Sequence, residues 1–164
     1  MTPGETDVRC STIVFRGQEL LLVHRAGNGA DDWVLPGGTP RPAESMAACA
    51  RRETFEETGL TVQPTRVAFV LEALKPGSNR RTVDLAFLAT GSSGVEPEPG
   101  EPDLEARFVP LAVLSELRMR PPLAGYLRAL SANGGWRTAA YLGNLWRPEP
   151  NGMTARLTGL EDAQ

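Results

Sequence analysis

Gly37-Gly38-Thr39-Pro40-Arg41-Pro42-Ala43-Glu44, continued by Ala50-Arg51-Arg52-Glu53-Thr54-Phe55-Glu56-Glu57-Thr58-Gly59-Leu60, is the stretch on which the reading of this chain turns. It reads as a glycine turn, a proline-punctuated loop and a helix that stops at a glycine. Residues 45–58 contain no Gly or Pro and are rich in Ala, Arg and Glu, which are good helix formers. Gly59 suits the left-handed residue that closes such a helix, and Pro42 suits its entry. Glu53, Glu56 and Glu57 then stand at i, i+3 and i+4 and share one helical face. Like charges at that spacing repel by ~0.2–0.5 kcal/mol per pair, and the C-terminal end of a helix disfavours anions further. Three carboxylates set against stability point to a missing positive charge. A hard, oxygen-seeking divalent cation would supply it, with Mg2+ first and Mn2+ as the alternative. Arg52, four residues before Glu56, is placed to pair with it. The ordinary competing account is a solvated charged face, the usual meaning of a Glu-rich helix.

The flanking residues decide between the two. Gly38, Glu44, Arg52, Glu53, Glu56, Glu57, Gly59 and Leu60 fill the fixed places of G-x5-E-x7-R-E-U-x-E-E-x-G-U, where U is a bulky aliphatic residue. On these residues, from Gly38 to Leu60, the chain resembles the Nudix hydrolases of the MutT-like kind. Trp33-Val34-Leu35-Pro36-Gly37 ahead of the box and the strand pattern after it extend the resemblance. One position departs: Thr54 stands where the pattern wants a bulky aliphatic residue. Thr is β-branched and close to Val in size, which predicts a slightly weakened core contact with the site retained.

A chain of 164 residues reads as one domain, 1–164, long enough for a real core. Apolar content of 41% and charged content of 23% are ordinary for a globular protein. A net charge of −3 argues against a surface that coats nucleic acid, which would be basic. It leaves room for a phosphate-bearing small substrate, since a bound metal reverses the local sign. Cys10 and Cys49 lie outside any C-x-x-C motif, and with His24 as the single histidine they cannot build a structural zinc site. Cys49, mid-helix among small residues, reads as a buried reduced thiol. Met1 to Arg9 lacks the apolar core of a signal peptide, and no run approaches the ~18 apolar residues of a membrane span. The expectation is a cytoplasmic protein with neither membrane nor nucleic acid as partner.

In chain order, residues 1–7 read as a flexible tail. Ser11–Phe15 and Glu19–His24 read as a hairpin about Arg16-Gly17-Gln18. His24, at a strand end beside Arg25, has no nucleophile motif and reads as structural or as an edge of the substrate site. Ala26–Asp32 has the composition of a surface loop. Trp33 could stack on a base, but the core is the favoured place. Val67–Leu74 and Thr82–Ala89 are two strands about the Lys75–Asn79 turn, with Arg80 and Arg81 placed to hold phosphate or to sit as edge charges. Residues 91–102 read as a mobile loop, followed by a strand to Pro110. A short helix over Leu111–Leu117 and a second over Leu123–Ala132 come next. The extension 136–164, with Tyr141, Leu142, Leu145 and Trp146, is apolar enough to add an edge strand or a dimer contact.

The resemblance implies an α/β fold, the Nudix-type α/β/α sandwich with a mixed sheet, and hydrolysis of a diphosphate joining a nucleoside to another group. It implies Glu53, Glu56 and Glu57 as metal ligands, with the Gly37 carbonyl as a further one, Arg52 orienting a carboxylate, and Glu44 bonding within the loop or to metal-bound water. Glu57, Glu53 and Glu105 remain open as general base, and Glu98 or Glu101 could replace Glu105 as the later acid. Arg25, Arg80, Arg81 and Trp33 are the candidate substrate contacts. ADP-ribose or a nucleotide sugar ranks first as substrate, on Pro76 sixteen positions past the box. A nucleoside triphosphate, oxidised ones included, ranks second. A non-catalytic nucleotide sensor is the alternative of another class, and a homodimer is a family-level expectation.

Overall fold

The computed structural model describes residues 4–27, 30–91, 94–135 and 138–148. Five strands form a mixed sheet: β1 (Glu5–Ile13), the two-residue β5 (Gly37–Gly38), β6 (Val62–Leu74), β7 (Arg80–Gly91) and β9 (Ala140–Asn144), in the order β5-β1-β7-β6-β9. β1 runs parallel to β7 and β9 parallel to β6, while the β6–β7 and β1–β5 pairs are antiparallel. A second sheet, antiparallel, gathers β2 (Phe15–Arg16), β4 (Ala30–Val34) and β8 (Leu104–Pro110) around β3 (Glu19–Gly27).

The helices cover opposite faces of the mixed sheet, as an α/β/α sandwich requires. α1 (Met46–Thr58) packs Cys49 and Ala50 against Cys10 and Phe87. α2 (Ala124–Ala132) and a 3₁₀ turn, Leu111–Glu116, pack Leu114, Leu127 and Leu130 against Ile13, Phe69 and Ala86 on the other side. Alternate residues along β1 and β7 thus face different helices, as the two-residue strand period dictates. Both cysteines are buried and unpaired by disulfide. Among the described residues no helix is long and apolar enough to cross a membrane.

Several elements differ from the sequence reading. The apolar run 11–15 is not one strand: it breaks at Val14, with β1 in the mixed sheet and β2 in the other. Val14 is fully buried in the core shared by the two sheets, with Leu21, Leu60, Val62 and Phe108. The chain changes sheets there because one side chain serves both. The expected tail is strand from Glu5 onward, and Arg80 neutralises its acids, 3.4 Å from Glu5 and 2.8 Å from Asp7. The expected loop at 26–32 is the tip of a hairpin, since Gly27 pairs with Ala30. Within the expected loop 91–102, of which 92 and 93 lie outside the described residues, the Glu98 N–H donates to the Thr58 carbonyl at 2.8 Å, beside the C-terminal end of α1. β9 adds the edge strand envisaged for the C-terminal extension, while Trp136 and residues 149–164 lie outside the described residues.

Candidate active site

α1 begins at Ser45, whose hydroxyl accepts from the Ala48 N–H at 3.1 Å, and ends at Gly59 with φ 72°. Ser45, rather than Pro42, sets the start, because a hydroxyl at this place satisfies an amide that the first turn leaves open. The glycine turn docks onto this helix. Gly37 lies so close to β1 that a Cβ there would fall 2.3 Å from the Cys10 carbonyl oxygen. At Gly38 a Cβ would fall 2.4–2.6 Å from the carboxylate of Glu53. The first glycine admits a neighbouring backbone, and the second leaves a cradle for an acid side chain. The Gly37 N–H then donates to Glu57 Oε2 at 2.9 Å.

Arg52 is the hub of the acid cluster. Its Nε and one terminal nitrogen take both oxygens of Glu44, at 2.8 and 2.9 Å. The other terminal nitrogen, Nη1, donates to Glu53 at 2.6 Å and to Glu56 at 3.0 Å. Arg41 reaches Glu56 from the loop at 3.1 Å, and its N–H donates to Glu44 at 2.9 Å. The Arg52 guanidinium, then the Arg41 amide, hold the Glu44 carboxyl down at about 2. The same bonds raise Arg52 above its ordinary value, the one to Glu44 most strongly. Glu57 differs in kind. It is buried, and burial pushes its carboxyl up; the Gly37 N–H and the charges of Arg9 and Arg25 offset this only in part.

These donors fit a hard divalent cation. They are all oxygens, and Arg52 Nη1 already shows Glu53 and Glu56 converging on one positive charge. In this arrangement, among the described residues, no three acids, histidines or cysteines meet at one point. An ion would share Glu53 and Glu56 with Arg52, and Glu57 and the Gly37 carbonyl are the adjoining oxygen donors.

Beside the cluster opens a cleft of about 410 Å³, with Val34, Leu71 and Leu145 on its apolar wall. Five arginines line it (Arg9, Arg25, Arg118, Arg120 and Arg147) against Asp32 and Asp84. That excess of cations, in a chain of net charge −3, suits an anionic ligand. Asp32 takes Arg118 at 2.7 Å and Arg120 at 3.4 Å. Arg25 joins cleft to cluster, its Nη2 standing 4.0 Å from Glu57 Oε1.

Of the residues singled out from the sequence, Gly37, Glu44, Arg52, Glu53, Glu56 and Glu57 come together, with Arg25 at the cleft. The others do not join them. Glu105 lies in a cross-strand row with His24 and Trp33, where it pairs with Arg107 and with His24 at 3.6 Å. Strand alternation puts that row on the face opposite Arg25. Trp33 is buried and stacks on His24 with ring centroids 4.7 Å apart. His24 itself bonds Asp31 at 2.7 Å. Arg80 is taken by Glu5 and Asp7, and Arg81 by Glu72 at 3.2 Å, so both neutralise acids of neighbouring strands. Glu98 contributes its backbone to the end of α1, with its side chain exposed.

Sequence reasoning missed Arg9, Asp84, Arg41 and Thr12. Arg9 abuts a stretch read as a tail, and Asp84 was one polar tooth of an alternating strand; only the parallel β1–β7 register, which sets them side by side, reveals them. Thr12 explains the departure in the box. Thr54 is fully buried; its hydroxyl donates to the Ala50 carbonyl at 2.8 Å and meets the hydroxyl of Thr12, also buried, at 2.7 Å. The contact is a satisfied polar pair and not a weakened apolar one.

The NUDIX domain family model matches residues 6–130. The NAD-capped RNA hydrolase NudC of Chromobacterium violaceum is 34% identical over 90 residues, 54% of this chain and 32% of the relative. A MutT-like protein of Streptomyces ambofaciens is 34% identical over 89 residues, 54% of each chain. This chain therefore spans about a third and about half of the length of these two relatives. The crystal structure of a MutT protein from Methanosarcina mazei Go1 superposes with a TM-score of 0.67 at 19% identity, covering 82% of this chain and 99% of that one.

Proposed function

The chain belongs to the NUDIX family, and we propose that it is a divalent-metal-dependent hydrolase that cleaves the diphosphate bridge between a nucleoside and a second group. The observation that carries the reading is the join of the Arg52-centred acid cluster to a cationic cleft through Glu57 and Arg25. A sensor that only binds nucleotide has no use for a complete set of box carboxylates, and here all are present and held.

Glu53, Glu56 and Glu57, with the Gly37 carbonyl, would hold the metal. When bound, such an ion neutralises diphosphate oxygens and lowers the pKa of a coordinated water. Arg52 fixes Glu53 and Glu56 side by side, and Glu44 fixes Arg52 from behind. Arg25 is exposed enough to meet the phosphates as they enter from the cleft. Among the candidates for general base, Glu105 stands on the far face of its sheet. We assign the proton-accepting role to Glu57, whose Oε1 stands 4.0 Å from Arg25, a residue of the cleft lining.

ADP-ribose or a nucleotide sugar stays first as substrate. The Chromobacterium violaceum relative is named for NAD-capped RNA, and NAD is itself a nucleoside joined through a diphosphate. Pro76 adds no support, since it sits in the β6–β7 turn and is not among the residues lining the cleft. The test is a panel of ADP-ribose, nucleotide sugars, NAD and nucleoside triphosphates with Mg2+ or Mn2+, read by phosphate release and product chromatography. The expected result is a nucleoside monophosphate from the diphosphate-bridged compounds. Turnover of triphosphates alone would move the substrate to the second-ranked class, and no turnover of any would refute the hydrolase reading.

A further inference from the structure

We infer that Arg9 is a positioning residue for this site, holding the Leu35–Gly38 turn at the setting that lets Gly37 meet Glu57; the inference rests on the hydrolase reading above. The parallel register of β1 and β7 places Arg9 directly beside Asp84. Arg9 Nη1 donates to Asp84 Oδ2 at 2.8 Å, and the Ser11 hydroxyl donates to the other Asp84 oxygen at 2.8 Å. Asp84 is 4% exposed and Ser11 is fully buried, so the carboxylate has a fixed place. It aims the guanidinium across to the turn, where Nη2 donates to the Leu35 carbonyl at 2.7 Å and to the Gly37 carbonyl at 3.2 Å. The next bond in the series is the Gly37 N–H to Glu57 at 2.9 Å.

Stability alone gives a weak reason for this arrangement, because a buried ion pair is commonly no better than apolar residues of the same volume. Its geometry gives a stronger one. The turn carries only the two residues of β5 as regular structure, and Gly37 has no side chain with which to anchor itself. A planar guanidinium carries its donors on separate nitrogens in a fixed fork, so it holds a carboxylate with one and two carbonyls with the other, whereas an ammonium offers a single point on a flexible stem. Arg9 also lines the cleft, but both terminal nitrogens are committed to protein oxygens. It acts on the reaction through Gly37 and Glu57.

The test compares Arg9→Lys, Arg9→Met and Ser11→Ala with wild type. Four quantities are read: kcat and KM on the best diphosphate substrate, Mn2+ binding to the substrate-free protein by electron paramagnetic resonance, and the melting temperature. Arg9→Lys and Arg9→Met are expected to lower kcat about ten- to hundredfold, as a small misplacement of a catalytic group does. KM should change less than about threefold, the pattern of an interaction not made with bound substrate, and Mn2+ binding should weaken several-fold. Ser11→Ala should move the same quantities the same way by less. Arg9→Lys keeps the charge and serves where Arg9→Met fails to fold. A lower melting temperature with kcat and Mn2+ binding unchanged would make the role merely structural and overturn the inference. So would a rise in KM with kcat intact, which marks a substrate contact, or tighter Mn2+ binding in Arg9→Met, which marks simple charge repulsion. A wild type that neither binds Mn2+ nor cleaves any diphosphate sinks the hydrolase reading first, and this inference with it.

Discussion

Replacing Thr54 by Val restores the residue type that the box pattern favours, and the structure says that this should harm the protein. The Thr54 hydroxyl donates to Ala50 and accepts from Thr12, and both threonines are fully buried. Thr54→Val leaves the Thr12 hydroxyl without that partner, at a cost of about 1–3 kcal/mol for a buried unsatisfied group. The added methyl returns up to ~0.8 kcal/mol. With the full methyl gain a net loss of ~0.2–2 kcal/mol is expected, which at ~2–4 °C per kcal/mol for a chain of this size lowers the melting temperature by up to about 8 °C. Thr12→Val should cost less, because Thr54 still donates to Ala50. The double variant Thr12→Val/Thr54→Val should recover most of the loss, since replacing both partners by apolar groups of equal shape is nearly neutral. Calorimetry and urea unfolding of the four proteins measure the coupling directly. Additive effects, or a Thr54→Val protein as stable as wild type, would refute the account of this pair.

Three other outcomes separate chemistry from folding. Glu57→Gln should abolish metal-dependent turnover by ~10²-fold or more while leaving the melting temperature equal or higher: burial raises the Glu57 carboxyl, so its charged form opposes folding at neutral pH, and the amide keeps an oxygen for the Gly37 N–H. A large drop in melting temperature would contradict this. Gly38→Ala should displace only the flexible end of Glu53 and cost activity with little stability, whereas Gly37→Ala meets the backbone of Cys10 and Ser11 and should unfold the protein or lower its melting temperature sharply; equal effects of the two would show the glycines to have one role. Glu44, held at about 2 against 4.5 when unfolded, contributes stability that is present above about pH 4.5 and lost as pH falls toward 2. Melting temperatures of Glu44→Gln across that window should fall less steeply than those of wild type, and parallel curves would remove Glu44 from the acid limb.

The legible parts of the sequence were those in which neighbours in the chain are neighbours in space. α1 and its acids are a single helix closed by Gly59, so spacing alone gave the cluster, its loop and the Arg52–Glu56 pair. β8 and α2 also announced themselves by apolar runs, while the apolar stretch that holds β9 left an edge strand and a dimer contact both open. The first twelve residues of the fold were obscure for the opposite reason. Glu5 and Asp7 look like tail residues until Arg80, far along the chain, sits across from them. β6 begins at Val62, five residues before the expected Val67, because Pro64 reads as a breaker; it is carried at an irregularity in the β6–β7 register. Arg9, Ser11 and Asp84 belong to two strands more than seventy residues apart, and no local pattern couples them. Glu105 was chosen by its position after the box, but one residue of strand phase decides which face it takes, and that phase put it beside His24.

The acid cluster itself changes meaning between sequence and structure. Read along the helix, Glu53, Glu56 and Glu57 repel one another and point to a missing positive charge, with Arg52 placed to pair with Glu56. In three dimensions Arg52 and Arg41 already compensate Glu44, Glu53 and Glu56, and Glu57 is turned inward to a backbone N–H. Glu57 is the one acid of the four kept from a close guanidinium, Arg25 being 4.0 Å away, and burial pushes its carboxyl up. The helix is stabilised by its arginines, and the acid left without a close cation is Glu57, the residue proposed to accept the proton. That division explains how a cluster so poorly placed for helix stability can be kept on a helix capped at both ends.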